Sequence, residues 1–137
     1  MKSSPSKIIY IILCSIILVF FIIFIPFSLH EQKEIDKRLK IVGLVSTGTI
    51  TSVHRSYGKS SGVYFGYKFQ DEKGTVYKDS KKVRFHDLEI FLRKNFPVIY
   101  NPQNLRENEI LMTKEEFENY GLNLPDSLKW TQGLRKY

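Results

Sequence analysis

Three histidines, one cysteine, a few serines and a scatter of acids are the side chains with which this sequence could do chemistry, and their spacing limits what is open to them. His30, His54 and His86 stand far apart, and no HxH, HExxH or CxxC occurs to supply the three or four closely spaced ligands that zinc needs. His86 precedes Asp87, a pairing that suits an oriented general base, although an aspartate there equally suits a helix cap. Ser60 and Ser61 lack the G-x-S-x-G context that exposes a nucleophilic serine. Gly58, Gly62 and Gly66 are too widely spaced, and follow no strand-to-helix turn, to cradle a phosphate. Asp71 and Glu72 fall in an expected turn, and one acidic pair offers too few oxygens to hold a cation. Cys14 is the only cysteine, which excludes an internal disulfide. The expectation is therefore a protein without catalytic residues, metal or cofactor.

The element that places everything else is the run 8–29, which carries no charged side chain. A helix of about 22 residues rises about 33 Å, enough to cross a hydrocarbon core of about 30 Å. The run is too long for the apolar core of a cleaved signal, and no small-x-small site follows it near Phe27, Ser28 and Leu29. Leu13 stands before Cys14 where a lipoprotein signal needs a small residue. Ser4 and Pro5 suit the start of the helix, and Pro26 should kink it near its far end. The reading is a short amino-terminal tail (1–7), a transmembrane helix (8–29) and a helical stalk (30–42). Within the stalk Ile35, Leu39 and Val42 share a face, and Gly43 is placed to end it in the left-handed conformation.

The formal charge is +7, of which Lys2 and Lys7 supply two, leaving five beyond the span. That excess favours anionic lipid or an acidic partner, but the basic residues are scattered among acids and form no helical stripe, so nucleic acid is not expected.

Residues 43–112 read as a small β-rich domain, mainly antiparallel, a barrel-like or strongly bent sheet of five or six strands with one or two short helices. Thr47, Thr49, Ile50, Thr51 and Val53 mark a first strand to about His54. Val63, Phe65, Tyr67 and Phe69 alternate with Tyr64, Gly66, Lys68 and Gln70 in a second, and Asp71 to Gly74 turn the chain into a third over 75–80, which 81–86 either extends or follows as a fourth strand, with Val83 and Phe85 inward. Asp87 is expected to cap a short helix carrying Leu88, Phe91 and Leu92, which Asn95 and Pro97 end and which plugs one end of the sheet. Val98, Ile99 and Tyr100 form a buried strand stopped by Asn101 and Pro102, and 110–112 is a last short strand. Residues 113–137 form a C-terminal helix and tail, opened by a capping box of Thr113 and Glu116.

Gly48, Thr49 and Ile50 after a single anchor, the aromatic strand 63–69, and the closing Val98-Ile99-Tyr100-Asn101-Pro102 followed by Ile110 and Leu111 resemble the bacterial membrane-anchored family catalogued as domain of unknown function 3592. The resemblance spans roughly 43–112. It implies a small β-rich domain beside membrane helices, and no particular chemistry. This chain departs from the family in offering no second membrane run and in adding the C-terminal helix and tail.

The function expected is that of a non-enzymatic, single-pass protein of the bacterial inner (cytoplasmic) membrane, amino terminus in the cytoplasm and C-terminal domain periplasmic or extracellular, acting as subunit or accessory of an envelope membrane complex. Its partners would be the bilayer, a protein of that complex and, through the stalk, a second copy. The tail residues Leu124, Leu128, Trp130, Leu134 and Arg135 are the candidate contact, since aliphatic, aromatic and Arg side chains anchor interfaces. Packing of the tail on its own domain is the competing expectation. A tethered ligand-binding module would instead want an apolar cavity lined by Tyr64, Tyr67 and Tyr77, and a membrane-proximal hydrolase would need His54, His86 and an acid to converge.

Overall fold

The structure, a computed structural model, describes residues 5–57 and 61–134, and in its first helix not the side chains of 5–8, 11 and 20–29. Helix α1 covers Pro5–Val42. Among the described residues no helix is long and apolar enough to cross a membrane, and residues 8, 11 and 20–29 of the expected span, Pro26 included, lie outside the described side chains. The chain divides into two units, Met1–Lys37 and Arg38–Tyr137, so the last turn of α1 belongs with the β-domain. In that turn Leu39 is buried. Gly43 closes the turn by donating to the Leu39 carbonyl at 3.0 Å. Its φ is not left-handed as expected; glycine is needed because a Cβ would stand 2.3 Å from the Leu39 carbonyl oxygen and 2.7 Å from the Ile99 side chain.

Five antiparallel-paired strands follow, β1 (Leu44–Ser56), β2 (Gly62–Gln70), β3 (Val76–Val83), β4 (Asn95–Asn101) and β5 (Asn104–Ile110), in the order β3-β2-β1-β4-β5. β1 serves both halves: its start pairs with β4 from Leu44↔Tyr100 to Thr49↔Asn95, and its remainder pairs with β2 as far as Ser56↔Gly62. A bulge between Ile50 and Ser52 bends it between the two partners. The sheet thereby curls into a nearly closed barrel, partly open between β3 and β5.

Inside lie Ile50, Val63, Phe65, Tyr67, Phe69, Val98, Tyr100 and Ile110, the inward alternate positions of the strands. Residues 88–93 close one end, as expected of that segment, but as a 3-10 turn, Glu89–Phe91, with Leu88 and not Asp87 at its N-cap and no side-chain cap. Phe91 is fully buried, its ring 4.8 Å from that of Phe65, 4.9 Å from Phe85 and 5.9 Å from Phe96. Arg93 then takes a left-handed φ of 62° and donates to Ile50 at 2.9 Å, delivering the chain directly into β4. Pro97 thus lies within β4 and ends no helix: it needs to donate nothing there, while its carbonyl accepts from Leu111 at 2.8 Å. The last strand is Asn104–Ile110 and not 110–112: it pairs with β4 from Asn101↔Asn104 to Val98↔Ile110 even though Arg106, Glu107 and Glu109 lie along it. Helix α2 (Lys114–Asn119) opens with the Thr113–Glu116 capping box, and a 3-10 stretch, Asp126–Gly133, lays the tail against the barrel.

Candidate functional site

Polar side chains, and not backbone pairing, bridge the gap between β3 and β5. Continuing the inward phase of Val83 along β3 places Lys81 and Asp79 toward this seam. Lys81 Nζ donates to Glu109, to Glu116 Oε1 at 2.6 Å and to the Ile110 carbonyl at 2.8 Å. Tyr67 Oη meets Asn108 Oδ1 at 2.5 Å, and Asn108 Nδ2 donates to Asp79 Oδ2 at 2.9 Å. Burial, then the negative charges of Asp79 and Glu109, hold the Tyr67 hydroxyl well above its ordinary range, so it stays a donor. This cluster is a structural clasp: every member answers another.

A second polar knot ties α1 to β5. Arg38 grips Glu107 with two hydrogen bonds of 2.8 and 3.0 Å, and Asn101 adds one of 2.9 Å. These bonds, Arg38 first and Asn101 next, pull the Glu107 carboxyl down to about 2.

His54 and His86 do not converge. His54 lies on the outer face of β1, stacked on Tyr64 with ring centroids 5.6 Å apart, whereas His86 lines a groove at the end of the barrel. Asp71 Oδ1 is engaged by the amides of Lys73 and Thr75 and serves its turn. Among the described residues no group of three or more His, Cys, Asp or Glu could hold a metal ion. The three tyrosines line no common cavity: Tyr64 faces outward, Tyr67 is in the core and Tyr77 packs on Phe69 at the barrel edge.

The tail residues are placed on their own domain. Leu128 and Thr131 are buried, and the Trp130 ring lies 5.4 Å from Phe91 and 6.2 Å from Phe96, with Lys94 above it at 5.4 Å. Leu124 and Leu134 are half-buried, and Arg135 falls outside the described residues. Leu128 and Trp130 therefore complete the barrel core instead of standing free, which is the competing expectation for this segment.

An end groove of about 650 Å³ lies open between the end of β1 and the 3-10 turn, lined by Val53, Leu88, Ile90 and Leu92 together with Arg55, His86, Asp87 and Glu89. A neighbouring hollow of about 450 Å³ shares Arg55, His86 and Leu88 and runs toward Tyr57, which is 85% exposed. Ile90 and Leu92 stay 40% and 38% exposed although Phe91 between them is sealed in the core. Sequence reasoning grouped Leu92 with Phe91 on one buried helical face. A 3-10 turn advances three residues per turn and breaks that grouping, so only the true period would have found the groove. No protein-family model, curated protein or solved structure matches the chain.

Proposed function

We propose that the chain is a membrane-tethered protein of the bacterial envelope that works by contact and not by catalysis, its barrel presenting the end groove to a partner protein in a membrane complex. The observation that carries this reading is the groove itself: Leu88, Ile90, Leu92 and Val53 line an open hollow, with Arg55, His86, Asp87 and Glu89 around them. Apolar side chains rimmed by polar ones are the usual form of an interface. The uncharged run 8–29 supports single-span insertion in the cytoplasmic membrane, with the amino terminus inside, because a long C-terminal domain translocates largely regardless of Lys33, Lys37, Arg38 and Lys40. The likeness to domain of unknown function 3592 belongs to the same reading.

Chemical cross-linking in intact membranes, followed by affinity purification of the full-length protein, tests it. The parent should retain a defined partner, and Ile90→Asp with Leu92→Asp should lose it at unchanged abundance and thermal stability. Undiminished recovery by that variant would remove the groove from the account.

A further inference from the structure

β1 leaves half of one edge unpaired, and the end groove runs along it. β4 pairs with β1 only as far as Thr49↔Asn95, after which Ile50 bonds to Arg93 and Lys94. β2 continues along the other edge to Ser56↔Gly62. The carbonyls of Gln70 and Gly66 are turned toward β1, since they accept from Ser46 Oγ at 2.6 Å and from Thr51 Oγ1 at 3.1 Å. Backbone groups alternate along a strand, so Gly66, Tyr64 and Gly62 face β1, and their counterparts Ser52, His54 and Ser56 face β2. Val53 and Arg55 therefore aim their N–H and C=O groups at the opposite edge, where among the described residues no backbone bond meets them. An edge of this kind is a template for another extended chain.

The groove narrows the choice of chain. Val53 and Arg55 are two residues apart, so both side chains lie on the groove face of β1. The opposite wall runs from His86 and Leu88, which share the neighbouring hollow with Arg55, to Arg93, which bonds to Ile50. Glu89 and Ile90 lie between these ends. Among the described residues neither Arg55 nor Glu89 belongs to an ion pair, the two standing at different ends of the same groove. A fitting occupant is thus an extended strand that brings an apolar side chain to the middle of the wall and a base to Glu89. Residues 51–56 are such a strand, with Val53 and Arg55 and no acid among them.

Resting on the reading of the end groove as a contact site, we propose that its occupant is the same edge of a second copy, the two β1 strands pairing antiparallel about a two-fold axis at Val53. Val53 then faces its counterpart as a hydrogen-bonded pair, exchanging both N–H···O bonds, and Arg55 faces Thr51 of the other copy. Opposed residues of antiparallel strands share a face, so Val53 of the second copy enters the groove beside Leu88 and Ile90. Its Arg55 comes to the Ile50 end of the wall, where Glu89 answers it. The contact is isologous, so each of these gains is made twice. Its area is small for association in free solution, but two copies held in one bilayer meet at a high effective concentration.

The test uses the full-length protein, donor- and acceptor-labelled at its amino terminus, in phosphatidylcholine liposomes at a series of protein densities. The parent should show energy transfer that saturates with density. Glu89→Arg should weaken association about tenfold, because it sets Arg against Arg at two symmetric places, and Arg55→Glu combined with Glu89→Arg should restore it. Arg55→Pro removes an N–H that β2 does not use, so it should abolish association at a melting temperature close to that of the parent, whereas Arg55→Gln only weakens it. With Cys14→Ser to remove the native thiol, Val53→Cys should give a disulfide-linked dimer on oxidation and Lys129→Cys should not. A monomeric parent, indifference to Arg55→Pro, or a charge exchange that restores nothing would each overturn the proposal. If the parent is monomeric while Ile90→Asp with Leu92→Asp still releases a different protein from the membrane complex, the groove stands as a contact site and the pairing of two copies alone falls.

Discussion

Lys81 occupies a position where strand alternation calls for an apolar side chain, and the reason is its place at the open seam of the barrel. Its ammonium answers Glu109 and Glu116 together, so removing it leaves two carboxylates facing each other without a counter-charge. Lys81→Met should lower stability by about 2 kcal/mol, a discounted figure because the group keeps some solvent contact, read as a drop in denaturant midpoint. Replacing Glu109 with Gln as well should recover part of the loss, whereas Glu116 is also held by the capping box of α2. Glu107 gives a pH signature. Its carboxyl is depressed to about 2 in the folded chain against about 4.3 unfolded, so the unfolded state binds the extra proton between these values. The stabilisation is present above about 4.3 and is lost as pH falls through about 2. Arg38→Met should flatten that acid limb in thermal melts recorded from pH 5 to pH 2. Tyr67 acts at the other extreme: its raised hydroxyl stays protonated while the unfolded chain ionises, so stability should decline as pH rises above about 10.

The 3-10 turn and the tail form one packing unit. Phe91 sits among Phe65, Phe85, Phe96 and Trp130, so the plug from 88–93 and the lid from 126–133 depend on each other. Phe91→Ala should cost about 4 kcal/mol, measured by denaturant unfolding, as expected for emptying a large aromatic from a filled core. Truncation after Gly121 removes Leu128 and Trp130 and should produce a large fall in melting temperature. A truncated chain that melts unchanged would show that the tail contributes nothing to the barrel. Gly43→Ala tests the joint between α1 and β1: its Cβ would collide with a backbone oxygen, so the variant should be destabilised despite alanine's better helix propensity.

For the whole molecule, the decisive measurement is partition. The full-length protein should resist alkaline extraction from membranes, and a reporter active only in the cytoplasm, fused after Tyr137, should be silent. Release by alkali would reject the anchor, and an active reporter would reverse the orientation.

Much of the barrel was legible because local chemistry acts over few residues. The alternation of Val63, Phe65, Tyr67 and Phe69 dictates β2, Asp71 and Gly74 dictate its turn, and the Thr113–Glu116 box starts α2. The early start of β5 was not legible, since Arg106, Glu107 and Glu109 read as solvent-facing until Arg38 from α1 and Lys81 from β3 meet the two acids. Nor was the cap at Leu88, where Phe91 selects a 3-10 turn by filling the barrel end. The end groove was not legible either. It is made by residues distant in sequence, Val53 and Arg55 at the end of β1 and residues 86–92, which only the tertiary fold brings to one surface. The sequence by itself determined β2, the turn at Asp71 to Gly74 and the cap of α2, whose causes lie within a turn or a strand's length. Tertiary structure alone decided which charges are paired and which apolar residues stay exposed, because those depend on what the rest of the chain brings opposite them.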